Sequence, residues 1–205
     1  MQSKRLNPHR PRVAAITMLA VVACGGGDQG ADTTAGATAG AGGATSAAAP
    51  AAPAALGDPQ IAHVAVTANS IDSAAGAAAQ SKARNAQVKD FAQQMVRDHG
   101  AVNKQAVALA QKLNVTPADN DVSRQLQQGA EQSRTELGGR TGAEFDRAYI
   151  DREVQYHQAV LDALDRTLIP GAQNAELKAL LQQVRPNVAA HLERAKSIQG
   201  SLGRP

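Results

Sequence analysis

Three histidines lie in the apolar stripes of three separate helical patterns, so they are the first candidates for chemistry in this chain. His99, His157 and His191 each have apolar residues at helical spacing around them. Because residues three or four positions apart share one face of a helix, the pattern predicts that all three imidazoles point into one core. Imidazoles ligate transition metals, but a buried neutral histidine can also be satisfied by one hydrogen bond. Two interpretations stay open: a transition-metal site and a structural polar core.

Few acidic residues can join these histidines. Glu153 precedes His157 by one helical turn, and Asp72 lies beside the apolar face of an earlier helix. Both complete the predicted metal site, whereas Asp98, directly before His99, is expected to point elsewhere. Di-iron carboxylate bundles need a glutamate three residues before a histidine, and no histidine of the helical region has one. The sequence therefore disfavours a di-iron oxidase.

Three further residues are predicted as polar or soft partners in the core. Tyr149 and Asp146 share the central helix with His157, and Met95 lies one turn before His99. A thioether and an imidazole on one helix face suit copper, although methionine also fills core space. No nucleophile with an adjacent base and no glycine-rich phosphate loop is present, so we predict no catalytic residue.

Helical rise places two of the histidines at different levels. His157 lies fourteen residues before Gly171, and His191 lies twenty residues after it. At about 1.5 Å per residue, the difference predicts an axial offset of about 9 Å. One metal ion cannot bridge such an offset unless a kink at Pro186, inside the last helix, shortens it.

Periodicity predicts four long helices, one short helix and no strand. We expect Asp58 to cap the first helix, a capping box of Thr141 and Glu144 at the central helix, and a packing reason for Gly100 in mid-helix. The pattern is typical of an all-α up-and-down four-helix bundle with an additional short helix, over residues 58–205. The predicted helices run from about Asp58 to Lys82, Val88 to Leu113, Asp119 to Leu137, Thr141 to Pro170 and Asn174 to Gly200.

The first 57 residues have another organisation. Residues 1–24 combine a basic start with an apolar run that ends at Cys24, which is typical of a lipoprotein-type signal peptide with lipid on that cysteine. The alternative is an ordinary secretory signal and a free thiol. Residues 25–57 are rich in Gly, Ala and Thr and are predicted to form a disordered tether. Gly25 is not the aspartate associated with inner-membrane retention, which favours an outer-membrane lipoprotein facing the periplasm over a soluble periplasmic or secreted protein.

Charge argues against nucleic acid as a partner. The net charge is +3, but four of the 21 basic residues precede Cys24, which leaves 17 basic and 18 acidic residues and a net charge of −1. A near-neutral chain has no electrostatic footprint for nucleic acid. The expected partner is the membrane, through lipid at Cys24.

Three stretches together resemble the bacterial domain-of-unknown-function family numbered 4142: FAQQMVRDHGAVN, EFDRAYIDREVQYHQAVL and RPNVAAHLERAKSI. The resemblance extends from about Asp58 to Leu202. It implies a ferritin-like helical bundle in an exported, outer-membrane-associated protein, and it brings no activity with it. Members usually carry a glutamate where Asp72 stands, so the carboxylate here has a shorter reach.

The expected function is that of a lipid-anchored periplasmic bundle that binds a partner or supports the envelope without catalysis. The alternative is a metal-storage or redox protein that uses the three histidines and few carboxylates. A third hypothesis is sensing of envelope pH near 6 by histidine protonation.

Overall fold

The computed structural model describes residues 55–203, so the predicted signal peptide, Cys24 and nearly all of the predicted tether lie outside the described residues. The described part of the chain is an all-α bundle without strands, as predicted. The helices are α1 (Asp58–Lys82), α2 (Ala86–Lys112), α3 (Asp121–Gly138), α4 (Gly142–Ala163) and α5 (Ala175–Ser201). A π-helical turn, Leu164–Leu168, and a short helical turn, Ile169–Gly171, continue α4 and are called the α4 extension.

Two helical hairpins make up the bundle. Only three residues join α1 to α2 and three join the end of the α4 extension to α5, so each pair is antiparallel. In the bundle, α1 packs beside α4 and α2 beside α5, while α3 lies against α1 and α4. α5 is one continuous helix through Pro186, and the predicted kink there stays a prediction.

Asparagine side chains cap three of the helices. Asn85 accepts from the amides of residues 87 and 88 at the start of α2, and Asn174 accepts from those of residues 176 and 177 at the start of α5. At α3, Asn120 and Ser123 form a reciprocal capping box. Each cap satisfies backbone donors that the first turn of a helix leaves free.

Two predicted caps are wrong. Thr141 is the N-cap of α4, but its side chain makes no capping hydrogen bond, so the box with Glu144 does not form. Asp58 lies inside α1, whose N-cap is Gly57, and its carboxylate instead accepts from the amides of Gln173 and Asn174. The chain reversal before α5 brings those amides to Asp58, a long-range contact that local sequence rules do not include.

The core consists of two apolar clusters at opposite ends of the bundle. One contains Phe91 and Phe145, and the other contains Ile61, Leu164 and Leu181. On the four long helices, the buried polar residues other than Asp146 lie between residues of the two clusters in the sequence. The bundle therefore contains a polar layer near its middle, between the two apolar clusters.

Gly76 allows α1 and α2 to approach closely beside this layer. A Cβ atom on Gly76 would lie 2.7 Å from the carbonyl oxygen of Ala92 and 3.1 Å from Cβ of Met95. A Cβ atom on Gly100 would meet nothing within 4 Å. The packing reason expected for Gly100 is therefore absent there, and it applies to Gly76.

Within residues 55–203, the structure contains no helix with the length and apolar character needed to cross a membrane.

Candidate metal centre

The polar layer collects one or two side chains from each long helix. α1 contributes Asp72, α2 His99, α4 both Glu153 and His157, and α5 His191. Their exposed fractions are 0%, 6%, 0%, 1% and 3%, so all five are removed from water. Buried polar groups require partners, so every nitrogen and oxygen here needs an explanation.

The three histidines converge. The ring centroids of His99 and His191 are 5.2 Å apart, those of His157 and His191 are 5.5 Å apart, and those of His99 and His157 are 5.6 Å apart. One ligating nitrogen from each ring lies within 4.8 Å of the other two. Since metal–nitrogen bonds are about 2 Å long, one ion can reach all three nitrogens.

The predicted axial offset between His157 and His191 is therefore wrong. A side chain in a helix leans toward the N-terminus of its own helix. Because α4 and α5 are antiparallel, His157 leans away from their connection and His191 leans toward it. Both inclinations reduce an offset that had been counted along Cα atoms alone.

Hydrogen bonds orient His99 with Nε2 toward the centre. Its Nδ1 lies 2.8 Å from Oδ1 of Asn69, whose Nδ2 donates to the carbonyl oxygen of Ala65 at 2.8 Å. That second bond makes Oδ1 of Asn69 the acceptor, so Nδ1 of His99 carries the proton. Nε2 is then the atom that faces the other histidines.

His157 and His191 are oriented in the same way. Nδ1 of His157 donates to the backbone oxygen of Glu153 at 2.9 Å, so Nε2 of His157 carries a free lone pair. Nε2 of His191 donates to Oδ2 of Asp98 at 2.9 Å, so Nδ1 of His191 carries a free lone pair. Metal-ligating histidines characteristically donate the second ring N–H to a carbonyl or carboxylate outside the metal shell.

The contact of Asp98 with His191 corrects the expectation that Asp98 points away from the site. Asp98 precedes the inward-facing His99 on α2 and so lies on the side of that helix that faces α5. Burial acts against ionisation of Asp98, but the hydrogen bond from His191 holds its pKa below the usual value. Asp98 is an anionic acceptor outside the histidine cluster.

Five buried atoms of the layer make no assigned hydrogen bond, although two of them lie within hydrogen-bond distance of each other. They are His99 Nε2, His157 Nε2, His191 Nδ1, Asp72 Oδ2 and Glu153 Oε2. The first four lie on the inner side of their groups, whereas Glu153 Oε2 faces Nδ1 of His157. A proton between His99 Nε2 and Asp72 Oδ2, which are 2.9 Å apart, would satisfy one pair. It would leave the lone pairs of His157 and His191 facing each other without a donor. A cation can satisfy the three imidazole lone pairs together.

Asp72 is the carboxylate nearest to the histidines. Its Oδ2 lies 2.9 Å from Nε2 of His99 and 3.5 Å from Nε2 of His157. Glu153 places Oε2 3.4 Å from Nδ1 of His157. The predicted set of three histidines with Asp72 and Glu153 is therefore together in space, with Asp72 in the better position to share an ion with the imidazoles.

The two carboxyl groups differ in charge. Burial opposes ionisation of Asp72, but the hydrogen bond with His99 and the charges of nearby groups hold its pKa below the usual value. Burial and the charge on Asp72 raise the pKa of Glu153 well above its usual value. Burial also lowers the pKa of His157 to about 4, which keeps its ring neutral at pH 7, the form that ligates metals.

Arg152 is a residue of the site that sequence reasoning missed. Its Nη1 donates to Oδ1 of Asp72 at 3.0 Å and to Oε1 of Glu153, and its guanidinium carbon lies 4.5 Å from the ring centroid of Tyr156. Burial acts against the charged form, but the two carboxylates raise the pKa of Arg152 further. An arginine beside an inward-facing glutamate was the available signal. Asn69 was missed too, because an amide in an alanine-rich helix has no distinguishing pattern.

The other predicted core partners lie away from the histidine cluster. Asp146 accepts from the amides of Arg84 and Asn85 in the loop between α1 and α2. Tyr149 is fully buried and stacks with Phe145 at a centroid distance of 6.1 Å. Met95 is fully buried in the same apolar cluster.

A narrow apolar cavity leads to the histidine layer from one end of the bundle. Its volume is about 60 Å³, and it reaches His99, Asn69 and Tyr156 between walls of alanine, valine and leucine side chains. Apolar spaces of this kind exclude water. The environment of the inward lone pairs is therefore dry on this side, which strengthens any electrostatic interaction with a cation.

Comparison with known protein families gives one match. The family model described as Domain of unknown function (DUF4142) matches residues 43–198, which is more than half of the chain. The chain belongs to this family. No curated protein and no solved structure matches it. The DUF4142 region includes all five residues of the polar layer, and the description of DUF4142 assigns them no activity.

Proposed function

We propose that this DUF4142 domain binds one transition-metal ion through Nε2 of His99, Nε2 of His157, Nδ1 of His191 and Oδ2 of Asp72. The observation that carries the proposal is the set of fully buried inward atoms without hydrogen-bond partners. The outer nitrogen of each ring is held by an acceptor, which is the arrangement that metal-ligating histidines use.

The donor chemistry selects the class of ion. Three neutral imidazoles suit zinc, copper, iron and nickel, and one carboxylate suits divalent ions that also accept oxygen. The only cysteine is Cys24, so no thiolate belongs to the helical domain. Zn²⁺ accepts four nitrogen and oxygen donors in a tetrahedral arrangement and is therefore the probe of choice. In the envelope, such a domain would hold or buffer a divalent metal ion.

Calorimetric titration of the metal-free protein with Zn²⁺ tests the proposal. We expect one ion per chain and a loss of the saturable binding in His157→Gln. His63→Gln is the matched control, because His63 lies outside both potential ligand groups. With Zn²⁺ at 100 times its Kd, binding to the folded state adds about 2.7 kcal/mol, or about 5–10 °C in Tm for a domain of this size.

Two results would overturn the metal proposal. One is the absence of saturable 1:1 binding, with the same Tm in metal-free and zinc-loaded protein. The other is an equal loss of binding in His157→Gln and His63→Gln, because surface histidines would then explain the binding.

The alternative function is a non-enzymatic binding or envelope-support module in which the histidines serve as a polar core. The network of Arg152 with Asp72 and Glu153 favours it, because the network already neutralises part of the buried charge. In that case the Tm of the wild type and the Tm of His191→Leu would both be independent of Zn²⁺, although the variant loses the hydrogen bond to Asp98 together with the unpaired Nδ1. On the metal proposal the same variant loses the zinc-dependent rise in Tm.

We also propose that the chain is exported and anchored by lipid at Cys24 on the periplasmic face of the outer membrane. The basic start, the apolar run and the single cysteine at its end support this proposal. Labelling of cells with a radioactive fatty acid tests it. We expect label in the wild type and none in Cys24→Ala, and an unlabelled wild type found in the soluble periplasmic fraction would contradict the proposal.

A further inference from the structure

Arg152 lies on the side of Asp72 and Glu153 that faces away from the histidines. Oδ2 of Asp72 faces His99 and His157, while its Oδ1 accepts from Arg152. Oε2 of Glu153 faces His157, while its Oε1 accepts from the same Nη1 atom of Arg152. Each carboxylate therefore extends between the histidine cluster and one guanidinium nitrogen. With an ion in the histidine cluster, Asp72 would bridge that ion and the guanidinium in the way that a carboxylate bridges two metal ions, and Glu153 lies beside it.

We propose that Arg152 occupies the position of a second metal ion, so that the centre holds one ion, and that a small neutral residue at position 152 turns it into a two-ion centre. This inference rests on the proposed metal-binding function. It assigns Asp72 to both positions and Glu153 to the second, and it makes Arg152 the residue that determines stoichiometry.

A second potential ligand group contains both of these carboxylates. One atom each from Asp72, Glu153 and His157 lies within 4.8 Å of the other two, and all three residues are buried. This group shares His157 with the three-histidine group. The donors that touch the guanidinium are the carboxylate oxygens Oδ1 of Asp72 and Oε1 of Glu153, so the second position is rich in oxygen, in contrast to the nitrogen-rich first position.

Charge balance supports the same assignment. The side chains of Asp72 and Glu153 are both 0% exposed, and buried carboxylates without a positive partner are strongly destabilising. Arg152, with a side chain 13% exposed, supplies that charge. Without it, the two carboxyl groups are neutralised by protonation or by a divalent cation, and saturating Zn²⁺ favours the cation.

The structure also offers space beside this position. A groove of about 400 Å³ between α1, α3 and α4 has Arg152 in its wall, together with Ile71, Ala75 and Ala130. Arg152 also borders a second groove of about 350 Å³ beside α3. Removal of the guanidinium therefore connects the carboxylates with solvent, which gives an ion both an entry path and water ligands.

The test is the number of Zn²⁺ ions per chain, measured by mass spectrometry after dialysis and by calorimetry. We expect one ion in the wild type, two in Arg152→Ala and one in Arg152→Lys, which keeps the positive charge. Arg166→Ala, the replacement of an exposed arginine further along the α4 extension, should bind one. Because the carboxylates are left without a counter-ion, metal-free Arg152→Ala should also melt lower than the wild type and recover more in Zn²⁺.

The outcomes separate this inference from the metal proposal. A wild type that binds no ion refutes the proposed function. One ion in the wild type and one in a folded Arg152→Ala refute only the role of Arg152, as do two ions in Arg152→Lys. If Arg152→Ala and the bulkier Arg152→Met both stay unfolded in saturating Zn²⁺, the inference also fails, because an ion that can replace the guanidinium should restore the fold.

Discussion

The close contact of α1 with α2 at Gly76 allows a matched pair of substitutions. Gly76→Ala and Gly100→Ala make the same chemical change in the interiors of adjacent helices. The new methyl group at position 76 would lie 2.7 Å from the carbonyl oxygen of Ala92 and 3.3 Å from Cγ2 of Val96. The methyl group at position 100 would meet no atom within 4 Å. The pair therefore isolates the helix–helix contact from the intrinsic preference of alanine for helices.

The two substitutions are expected to change the free energy of unfolding differently. Alanine in place of glycine in a helix interior adds about 1 kcal/mol of stability, and Gly100→Ala should show that gain. At Gly76 the same gain is opposed by an overpacking cost of about 1–3 kcal/mol, because the nearest atom belongs to the backbone of α2 and cannot rotate away. We expect Gly76→Ala to range from neutral to about 2 kcal/mol less stable than the wild type, and about 1–3 kcal/mol less stable than Gly100→Ala.

The contact also matters for the metal centre. Asp72 lies one turn before Gly76 on α1, and His99 lies one turn after Met95 on α2, against which Gly76 packs. A forced separation of the helices lengthens the 2.9 Å distance between Oδ2 of Asp72 and Nε2 of His99. We therefore expect Gly76→Ala to raise the Kd for Zn²⁺ by about tenfold, which corresponds to about 1.4 kcal/mol. Gly100→Ala should leave the Kd unchanged.

Urea unfolding followed by circular dichroism at 222 nm measures the stability of both variants, and calorimetry measures their Zn²⁺ affinity. Equal stabilisation by the two alanines would refute the close helix contact. A destabilised Gly76→Ala with unchanged Zn²⁺ affinity would support the contact and refute its role in positioning Asp72.

Three further predictions concern polar groups. Asp98→Asn removes the anionic acceptor of His191 and should raise the Kd for Zn²⁺ about 10- to 100-fold. The control, Asp90→Asn at an exposed position, should leave the Kd unchanged. Equal affinities of the two variants would contradict the role of Asp98 in orienting His191. Asp146→Ala leaves two loop amides without their acceptor and should cost about 1.5–3 kcal/mol in urea unfolding, whereas the exposed Asp151→Ala should change stability by less than about 0.5 kcal/mol. In metal-free protein, nitrogen NMR should show His157 neutral down to pH about 4, because burial lowers its pKa from 6.5. Because the unfolded chain binds that proton at higher pH, the contribution of His157 to stability is complete above pH 6.5 and is lost as the pH falls toward 4. Titration of His157 near pH 6.5 in the folded protein would refute this prediction.

Local sequence patterns predicted the helices well, because helix formation depends on residues within a few turns. The first helix was placed from Asp58 to Lys82, and the structure has the same limits. Capping was predicted less well. Asp58 fits the pattern of a cap, but its carboxylate serves the amides before α5, more than a hundred positions away in sequence. A capping pattern states which residue can accept a hydrogen bond, and the tertiary structure decides which amide donates it.

The sequence by itself determined that three imidazoles and two carboxyl groups face inward, because helical periodicity assigns each side chain to a face. Periodicity contains no information on the distance between faces of different helices. Only the tertiary structure decided that His157 and His191 meet at one level, that Asp98 reaches across to α5, and that Arg152 lies behind the carboxylates. The first of these contacts depends on the opposite inclinations of side chains in antiparallel helices, and the contact of Asp72 with His99 depends on the close approach of α1 and α2 that Gly76 permits. The candidate ligands were thus readable from the chain, whereas the candidate metal centre is a property of the folded bundle.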